Sequence, residues 1–281
     1  MNVTFIGIGA IGLPMAQRIS ASGHAVTGVD LSSRARGLAH ESGLAAVDSF
    51  ASAPPADVVI AMVATPQQLA SLVDGVGAKL SGQTWAIMST VGPDAVRRQG
   101  ERLAAAGARV IDAPVTGGTA RAKRGELVIF TAGAPRDIDD ARPVLDAMGS
   151  VRVTGTKLGD GQAIKLVNQH LCSVHIVAAA EALNLARALG LDPSAVLDLV
   201  EQGAAGSWML SDRGPRMLQD ADVTVTSAID IFVKDSDLVD AAAQACGADV
   251  PLLRLANARF HAAADAGLGA SDDSRVIETW R

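Results

Sequence analysis

Hydrophobic and polar positions follow one rhythm in the first half of the chain and another in the second. Short apolar runs at Val3–Ile6, Ala25–Val29, Val58–Val63, Trp85–Met88, Arg109–Ile111 and Leu127–Phe130 have the length and make-up of strands. Between them, stretches such as Ile11–Ser22 and Asp94–Ala106 repeat apolar residues every three to four positions, as a helix with one buried face does. Strand and helix in alternation predict an α/β fold, a doubly wound and mainly parallel sheet with helices on both faces. A further strand near Val151–Val153 completes that sheet. Beyond Gly155 the rhythm changes. The Ala- and Leu-rich run from Asp160 predicts one long helix that stops at Gly190, and Asp192-Pro193 opens the next. Helical spacing continues at Ala195–Gln202, Ser227–Gly247 and Pro251–Ala266, with no strand pattern. The expected organisation is an α/β domain over residues 1–158 and an all-helical domain over 159–281 that begins with the long helix.

Composition narrows the class. Hydrophobic residues make up 49% of the 281 positions and charged residues 19%, which supports a sizeable core and excludes a disordered chain. Aromatics are only 3%, with no Tyr, so Ala, Val, Leu and Ile must build that core. A net charge of −6 argues against a broad phosphate-binding surface, so nucleic acid is not an expected partner. Cys172 and Cys246 fit no metal-ligand spacing and read as reduced, buried thiols of a cytoplasmic protein. The opening Met-Asn-Val-Thr-Phe-Ile-Gly lacks a basic leader and enters a strand directly. Charged residues interrupt every apolar run before the ~18 residues of a membrane span, so no membrane association is expected. His24, His40 and His261 share no ligand spacing, and no metal is expected.

Candidate chemistry begins with Gly7-Ile8-Gly9-Ala10-Ile11-Gly12, which follows the first strand and opens the first helix. In this context the glycines form the fingerprint of a Rossmann dinucleotide-binding domain. Gly7 permits the tight turn, Gly9 lets a pyrophosphate approach the backbone, and Gly12 lets the helix pack closely on the sheet. Asp30 ends the second strand roughly twenty residues further on, where an acidic side chain accepts hydrogen bonds from the adenine ribose diol. A 2′-phosphate there would meet a like charge, at a cost of up to about 4 kcal/mol at 4 Å and an effective dielectric near 20. NAD is therefore expected over NADP, with Arg34 and Arg36 close enough to soften the difference. The glycines alone also suit a flavoprotein or a nucleotide-sensing domain without turnover.

Two later stretches bear on that choice. Asp112-Ala113-Pro114-Val115-Thr116-Gly117-Gly118 follows a strand at the carboxyl edge of the sheet, where open α/β sheets bind ligands. Thr116, Gly117 and Gly118 offer a hydroxyl and backbone N–H groups to a carboxylate just before a short helix at Thr119–Arg124. A ligand-free loop and helix cap is the other reading. Lys165 sits early in the long helix, with Asn168 and Gln169 at spacings of three and four and apolar Ile164, Leu166, Val167 and Leu171 around them. A Lys in the first turns opposes the helix dipole. Either it snorkels to solvent or it serves as a general base or acid in a partly dry site.

With these stretches the chain resembles the β-hydroxyacid dehydrogenases, a family that includes 3-hydroxyisobutyrate dehydrogenase, tartronate semialdehyde reductase and L-threonate dehydrogenase. The likeness runs through Gly7–Ala16, Asp112–Gly118, Gly159–Gln169, Lys234-Asp235 and the tail Gly267–Ser274. It implies an NAD-dependent oxidoreductase acting on a small hydroxy acid, with Lys165 as catalytic acid–base. It further implies that Asn168 and Gln169 align substrate and Lys, and that Thr116, Gly117 and Gly118 hold the substrate carboxylate. Gly7, Ile8, Gly9, Ala10, Ile11, Gly12, Asp30, Val63, Ala64, Thr90 and Lys234 would contact the dinucleotide. Gly206-Ser207-Trp208-Met209, Asp230–Asp235 and Asp272-Asp273-Ser274 lean toward the L-threonate branch, hence a four-carbon sugar acid. Thr116 stands where the family usually has Ser, Ala64 where it has Pro, and Asn168 where the threonate branch tends to have His. Imine reductases share the fold but carry another residue in place of Lys165. Non-catalytic dinucleotide-binding relatives alter that Lys too and add further domains. The resemblance also implies a homodimer or homotetramer.

Overall fold

The apolar runs of the first half become the strands of one sheet, in a computed structural model that describes residues 1–77, 80–219 and 223–280. Strands β1 (Asn2–Ile6), β2 (Ala25–Val29), β3 (Ala45–Val47), β4 (Val58–Ala61), β5 (Thr84–Ile87) and β6 (Arg109–Asp112) are parallel in the order 3-2-1-4-5-6. Successive side chains go to opposite faces. Phe5, Ile60 and Met88 enter one core, while Ile6, Val59, Ala61 and Trp85 enter the other. Helices α1 (Gly12–Ala21), α2 (Ser33–Glu41), α3 (Pro66–Gly75) and α4 (Pro93–Ala105) make the crossovers. Met15 and Ile19 of α1 join the first core, whereas Leu69 of α3 and Leu103 of α4 join the second. This is the doubly wound Rossmann arrangement that the alternating pattern predicts.

The far edge of the sheet departs from simple alternation. The chain turns through β7 (Val115–Thr116) and α5 (Gly118–Arg124) into β8 (Leu127–Ala132), which is antiparallel to both β6 and β7. A parallel crossover needs a connection of a dozen or more residues, and the stretch 117–126 between β7 and β8, α5 included, falls short of that. After α6 (Pro135–Asp146), β9 (Gly149–Gly155) returns parallel to β8. β3 and β7 are too short to register as hydrophobic runs.

The chain divides into two compact units, Met1–Lys165 and Leu166–Arg281. Helix α7 (Asp160–Ala188) begins in the first and continues into the second, followed by α8 (Pro193–Val200), α9 (Trp208–Met217), α10 (Ile229–Cys246) and α11 (Pro251–Ala263). Among its described residues the second unit is helical, with one isolated β-bridge between Ala228 and Asp272. Ile176, Ala180 and Leu183 of α7 pack with Phe232 and Phe260, whose rings stack 5.1 Å apart. By length and composition alone, α7 is long and apolar enough to cross a bilayer. Its buried Ile176, Ala180 and Leu183 instead serve the core of the helical unit. Cys246, expected to be buried, is exposed at the last turn of α10, and both cysteines are free.

A charged network closes this unit. Arg213 donates from Nε and Nη2 to the two carboxylate oxygens of Asp273, at 3.1 and 2.8 Å. Arg216 donates to Asp272 at 3.0 Å. Burial by itself pushes the Asp272 carboxyl up. Hydrogen bonds from Thr226 and Ser274 and the Arg216 charge outweigh it and hold the carboxyl at about 2. The tail motif Asp272-Asp273-Ser274 therefore has a structural task, tying the end of the chain to α9.

Candidate active site

The fingerprint residues stand where the strand order reverses, between β1 and β4, the position at which open parallel sheets form a ligand crevice. Gly7 has φ +92, and a Cβ there would come within 2.2 Å of the Met62 carbonyl oxygen. A Cβ on Gly12 would lie 1.9 Å from the Gly7 carbonyl oxygen. These two glycines make the turn and the close helix start. Gly9 differs: a Cβ there would meet nothing within 4 Å. Gly9 and Ala10 are exposed, so the backbone before α1 presents a bare surface, as a pyrophosphate requires. Ile8 is 1% exposed and packs under Gly28, so any part it takes in binding is through its backbone.

Asp30 follows β2 directly and accepts the Ser32 N–H at 2.8 Å. Arg36 turns its guanidinium onto the carbonyl oxygens of Asp30 and Leu31, at 2.8 and 3.0 Å. Beyond β4, Val63 donates its N–H to Ser89 Oγ at 2.7 Å, and Ala64 donates to Gln68 Oε1 at 2.8 Å. Ser89 Oγ also donates to the Ala61 carbonyl at 3.2 Å, tying the ends of β4 and β5 beside the half-buried Thr90. Gly7–Gly12, Asp30, Val63, Ala64 and Thr90 thus share one edge of the sheet. With its bare glycine backbone and one acidic strand end, that edge suits a dinucleotide.

The same edge carries Asp112 and the loop to Thr116–Gly118. Gly117 and Gly118 have φ of +131 and +68, and Thr116 is half-buried. Asp112 closes β6 and is fully buried. Its Oδ2 accepts the N–H groups of Gly159 and Gln162 at 3.0 and 2.9 Å, and its Oδ1 accepts Gln162 Nε2 at 3.0 Å. Gln162 Oε1 in turn accepts the N–H groups of Val91 and Gly92, each at 3.0 Å, while Nε2 also donates to the Ser89 carbonyl at 3.0 Å. Desolvation raises the Asp112 carboxyl to about 6, against the opposing hydrogen bonds from Gln162, Gly159 and Gly161. A Cβ on Gly161 would lie 2.5 Å from the Phe130 carbonyl oxygen and 2.9 Å from Asp112 Oδ2, so only glycine lets the start of α7 settle this deeply.

Lys165 lies three residues past Gln162 on the same face of α7 and is 6% exposed. Ile164, Val167 and Leu171, predicted to surround it, are 43%, 63% and 48% exposed and lie on the other side of the helix. The buried face carries the polar Gln162, Lys165 and Gln169 together with Leu166, the predicted apolar neighbour that is buried, at 5%. In the second unit Gln169 donates to Asp235 Oδ2 at 2.5 Å, and Lys234 Nζ pairs with Asp235 Oδ1 at 2.6 Å. The half-buried Asn168 donates to Gln169 Oε1 at 2.9 Å and to Cys172 Sγ at 3.3 Å. Lys234, predicted as a cofactor contact, is therefore joined through Asp235 to Gln169. Sequence reasoning passed over Gln162 and Asp235 as site residues. For Gln162 the available signal was a glutamine flanked by the obligatory Gly161 and by Lys165 one turn on.

Comparison with known proteins bears on the whole chain. The model for the NAD binding domain of 6-phosphogluconate dehydrogenase matches residues 2–159. The model for the NAD-binding region of NADP-dependent 3-hydroxyisobutyrate dehydrogenase matches residues 159–280. The chain is 36% identical to an L-threonate dehydrogenase of Cupriavidus necator, over 99% of this chain and 95% of that one. It is 33% identical to a 3-hydroxyisobutyrate dehydrogenase of Pseudomonas aeruginosa, over 100% and 98%. A crystal structure described as 3-hydroxyisobutyrate dehydrogenase from Salmonella typhimurium superposes with a TM-score of 0.92 at 32% identity, covering 99% of each chain.

Proposed function

We propose, for a chain that belongs to the β-hydroxyacid dehydrogenase family and is an NAD(P)-dependent hydroxyacid dehydrogenase, that Lys165 is its acid–base and a four-carbon sugar acid of the L-threonate type its substrate. One observation carries the role of Lys165. Its amine-bearing side chain is buried on a helix whose first turn is bonded to the loops at the carboxyl edge of the sheet, the edge that carries the dinucleotide fingerprint. Bound NAD supplies the hydride acceptor. Lys165 in its neutral form takes the proton of the substrate hydroxyl, and in the reverse direction the ammonium returns it to the carbonyl oxygen. Thr116, Gly117 and Gly118 hold the carboxylate with a hydroxyl and backbone N–H groups. Asn168 and Gln169 keep substrate and Lys165 in line. Gly7–Gly12, Val63, Ala64, Thr90 and Lys234 bind the dinucleotide.

The substrate rests on the threonate-like stretches and on the identity with L-threonate dehydrogenase along the whole chain. Relatives named 3-hydroxyisobutyrate dehydrogenase and NAD-dependent L-serine dehydrogenase at 33% and 30% identity supply the competing substrates. Turnover followed at the absorbance of reduced nicotinamide is expected to give the highest kcat/KM with L-threonate. The comparison set is D-threonate, D-glycerate, 3-hydroxyisobutyrate and L-serine. Activity on 3-hydroxyisobutyrate with L-threonate inert would reject the four-carbon substrate and leave Lys165 in place.

Asp30 makes NAD the preferred coenzyme, and Arg36 is engaged by the Asp30 and Leu31 carbonyl oxygens. Asp30→Ala is expected to raise the NADP-to-NAD ratio of kcat/KM by at least about tenfold, the scale of one like-charge contact removed near the surface. An unchanged ratio takes Asp30 away from the ribose. The helical unit leaves Leu185, Leu189, Leu199, Leu252 and Leu255 between 57% and 79% exposed. A homodimer or homotetramer would cover them, a mass that light scattering reports; a monomer at micromolar concentration contradicts it.

A further inference from the structure

Gln162 is fully buried, and each of its four hydrogen-bonding positions is used: two N–H groups reach Oε1, and Nε2 donates to a carbonyl and a carboxylate. Its partners come from two places in the chain and meet it at a third. Val91, Gly92 and the Ser89 carbonyl belong to the loop that carries Thr90, Asp112 begins the segment that leads to Thr116–Gly118, and Gln162 itself is one helical turn from Lys165. A buried amide this completely satisfied cannot rotate without leaving donors facing donors. The start of α7 is then held against both loops by a bond pattern of fixed polarity.

We propose that Asp112 and Gln162 are positioning residues for catalysis, a buried clasp that sets Lys165 relative to the cofactor loop and the substrate loop together. The proposal rests on the reading of Lys165 as acid–base given above. The polarity of the clasp makes it testable. In Asp112→Asn the new amide can still accept the N–H groups of Gly159 and Gln162 through its oxygen, but its NH2 then faces the Gln162 NH2. Flipping Gln162 only moves the conflict to the N–H groups of Val91 and Gly92. In Gln162→Glu a second carboxylate oxygen faces Asp112 and the Ser89 carbonyl. The double exchange, Asp112→Asn with Gln162→Glu, restores a donor opposite an acceptor within the pair and leaves only the Ser89 carbonyl without its donor.

The test measures kcat, KM for NAD and KM for the hydroxy acid in the full-length chain, for Asp112→Asn, Gln162→Glu and the double exchange. Each is made with Lys165 present and again with Lys165→Ala, where the residual rate is read by prolonged incubation. With Lys165 present, each single variant is expected to lower kcat about 10- to 100-fold, the range for a misplacement of about an ångström. Both KM values should stay within about threefold, and the double exchange should recover most of the loss. With Lys165→Ala, the same substitutions should change the residual rate by less than about threefold, because the group they align is gone. Should one single variant fail to fold, the other and the double exchange carry the same comparison. A folded Asp112→Asn and Gln162→Glu at wild-type kcat would overturn the proposal, as would an equal loss in both backgrounds. An inactive Lys165→Ala beside fully active clasp variants sinks the clasp alone. Near wild-type turnover in Lys165→Ala sinks the reading of Lys165 as well.

Discussion

Lys165→Ala is expected to bind NAD within about threefold of the unaltered chain and to lose at least two orders of magnitude in turnover. The separation follows from where the side chain sits. The glycine turn, Asp30 and the Val63–Ser89 bond stand at the ends of β1, β2, β4 and β5, whereas Lys165 belongs to α7. Removing the amine deletes the group that accepts the hydroxyl proton. Positioned acid–base groups contribute about 10²- to 10⁴-fold, so the deficit falls on kcat. Water cannot readily take over, because the position is 6% exposed. Quenching of intrinsic Trp emission by the dinucleotide reports binding, and absorbance at the reduced-nicotinamide band reports turnover. Turnover close to that of the unaltered chain would remove Lys165 from the chemistry.

The second large effect lies in the helical unit. Arg213→Met is expected to destabilise the chain by about 3–5 kcal/mol, the usual cost of removing one partner from a buried ion pair. Asp273 is 0% exposed and receives two bonds from the one guanidinium. Methionine matches the length of the aliphatic stem but leaves the carboxylate buried beside Asp272, with Arg216 at 3.8 Å. A drop in Tm on the order of 10 °C is the measurable form, taking about 2–4 °C per kcal/mol for a domain of this size. Converting Asp273 to Leu in the same chain should recover much of it, since an apolar pair avoids the uncompensated charge. A Tm within about 2 °C for the single variant would show that the network contributes little to stability.

The parts of the fold that were legible in the sequence are those set by near neighbours along the chain. Gly7 and Gly12 could be read as obligatory from the spacing of the fingerprint, and the approach at Gly12 is built within its own turn, against the Gly7 carbonyl oxygen. The strands buried on both faces were legible as runs, and the long α7 as an uninterrupted helical period. Helix α9 was not recognised, because Gly214-Pro215 reads as a breaker. In the structure Pro215 sits within the helix, and Gly214 lets α9 approach Leu197 of α8 so closely that a Cβ would lie 2.8 Å from its Cδ1. The antiparallel turn of β8 was hidden for a similar reason: a strand's own residues do not state which neighbour it will pair with.

The sequence by itself determined that a dinucleotide fingerprint opens an α/β sheet, that an acidic residue ends its second strand, and that a helical region carries an early lysine. Those features are local, and their physics acts over one turn of helix or one strand. Tertiary structure decided what surrounds the lysine. It turned Ile164, Val167 and Leu171 toward the exposed side, buried Gln162 and Gln169 with Leu166 beside the lysine, and joined Asp112 to Gln162 across fifty residues of chain. Hydrogen bonds between distant segments depend on the packed sheet edge that brings them together. No period or propensity in the sequence encodes that meeting directly.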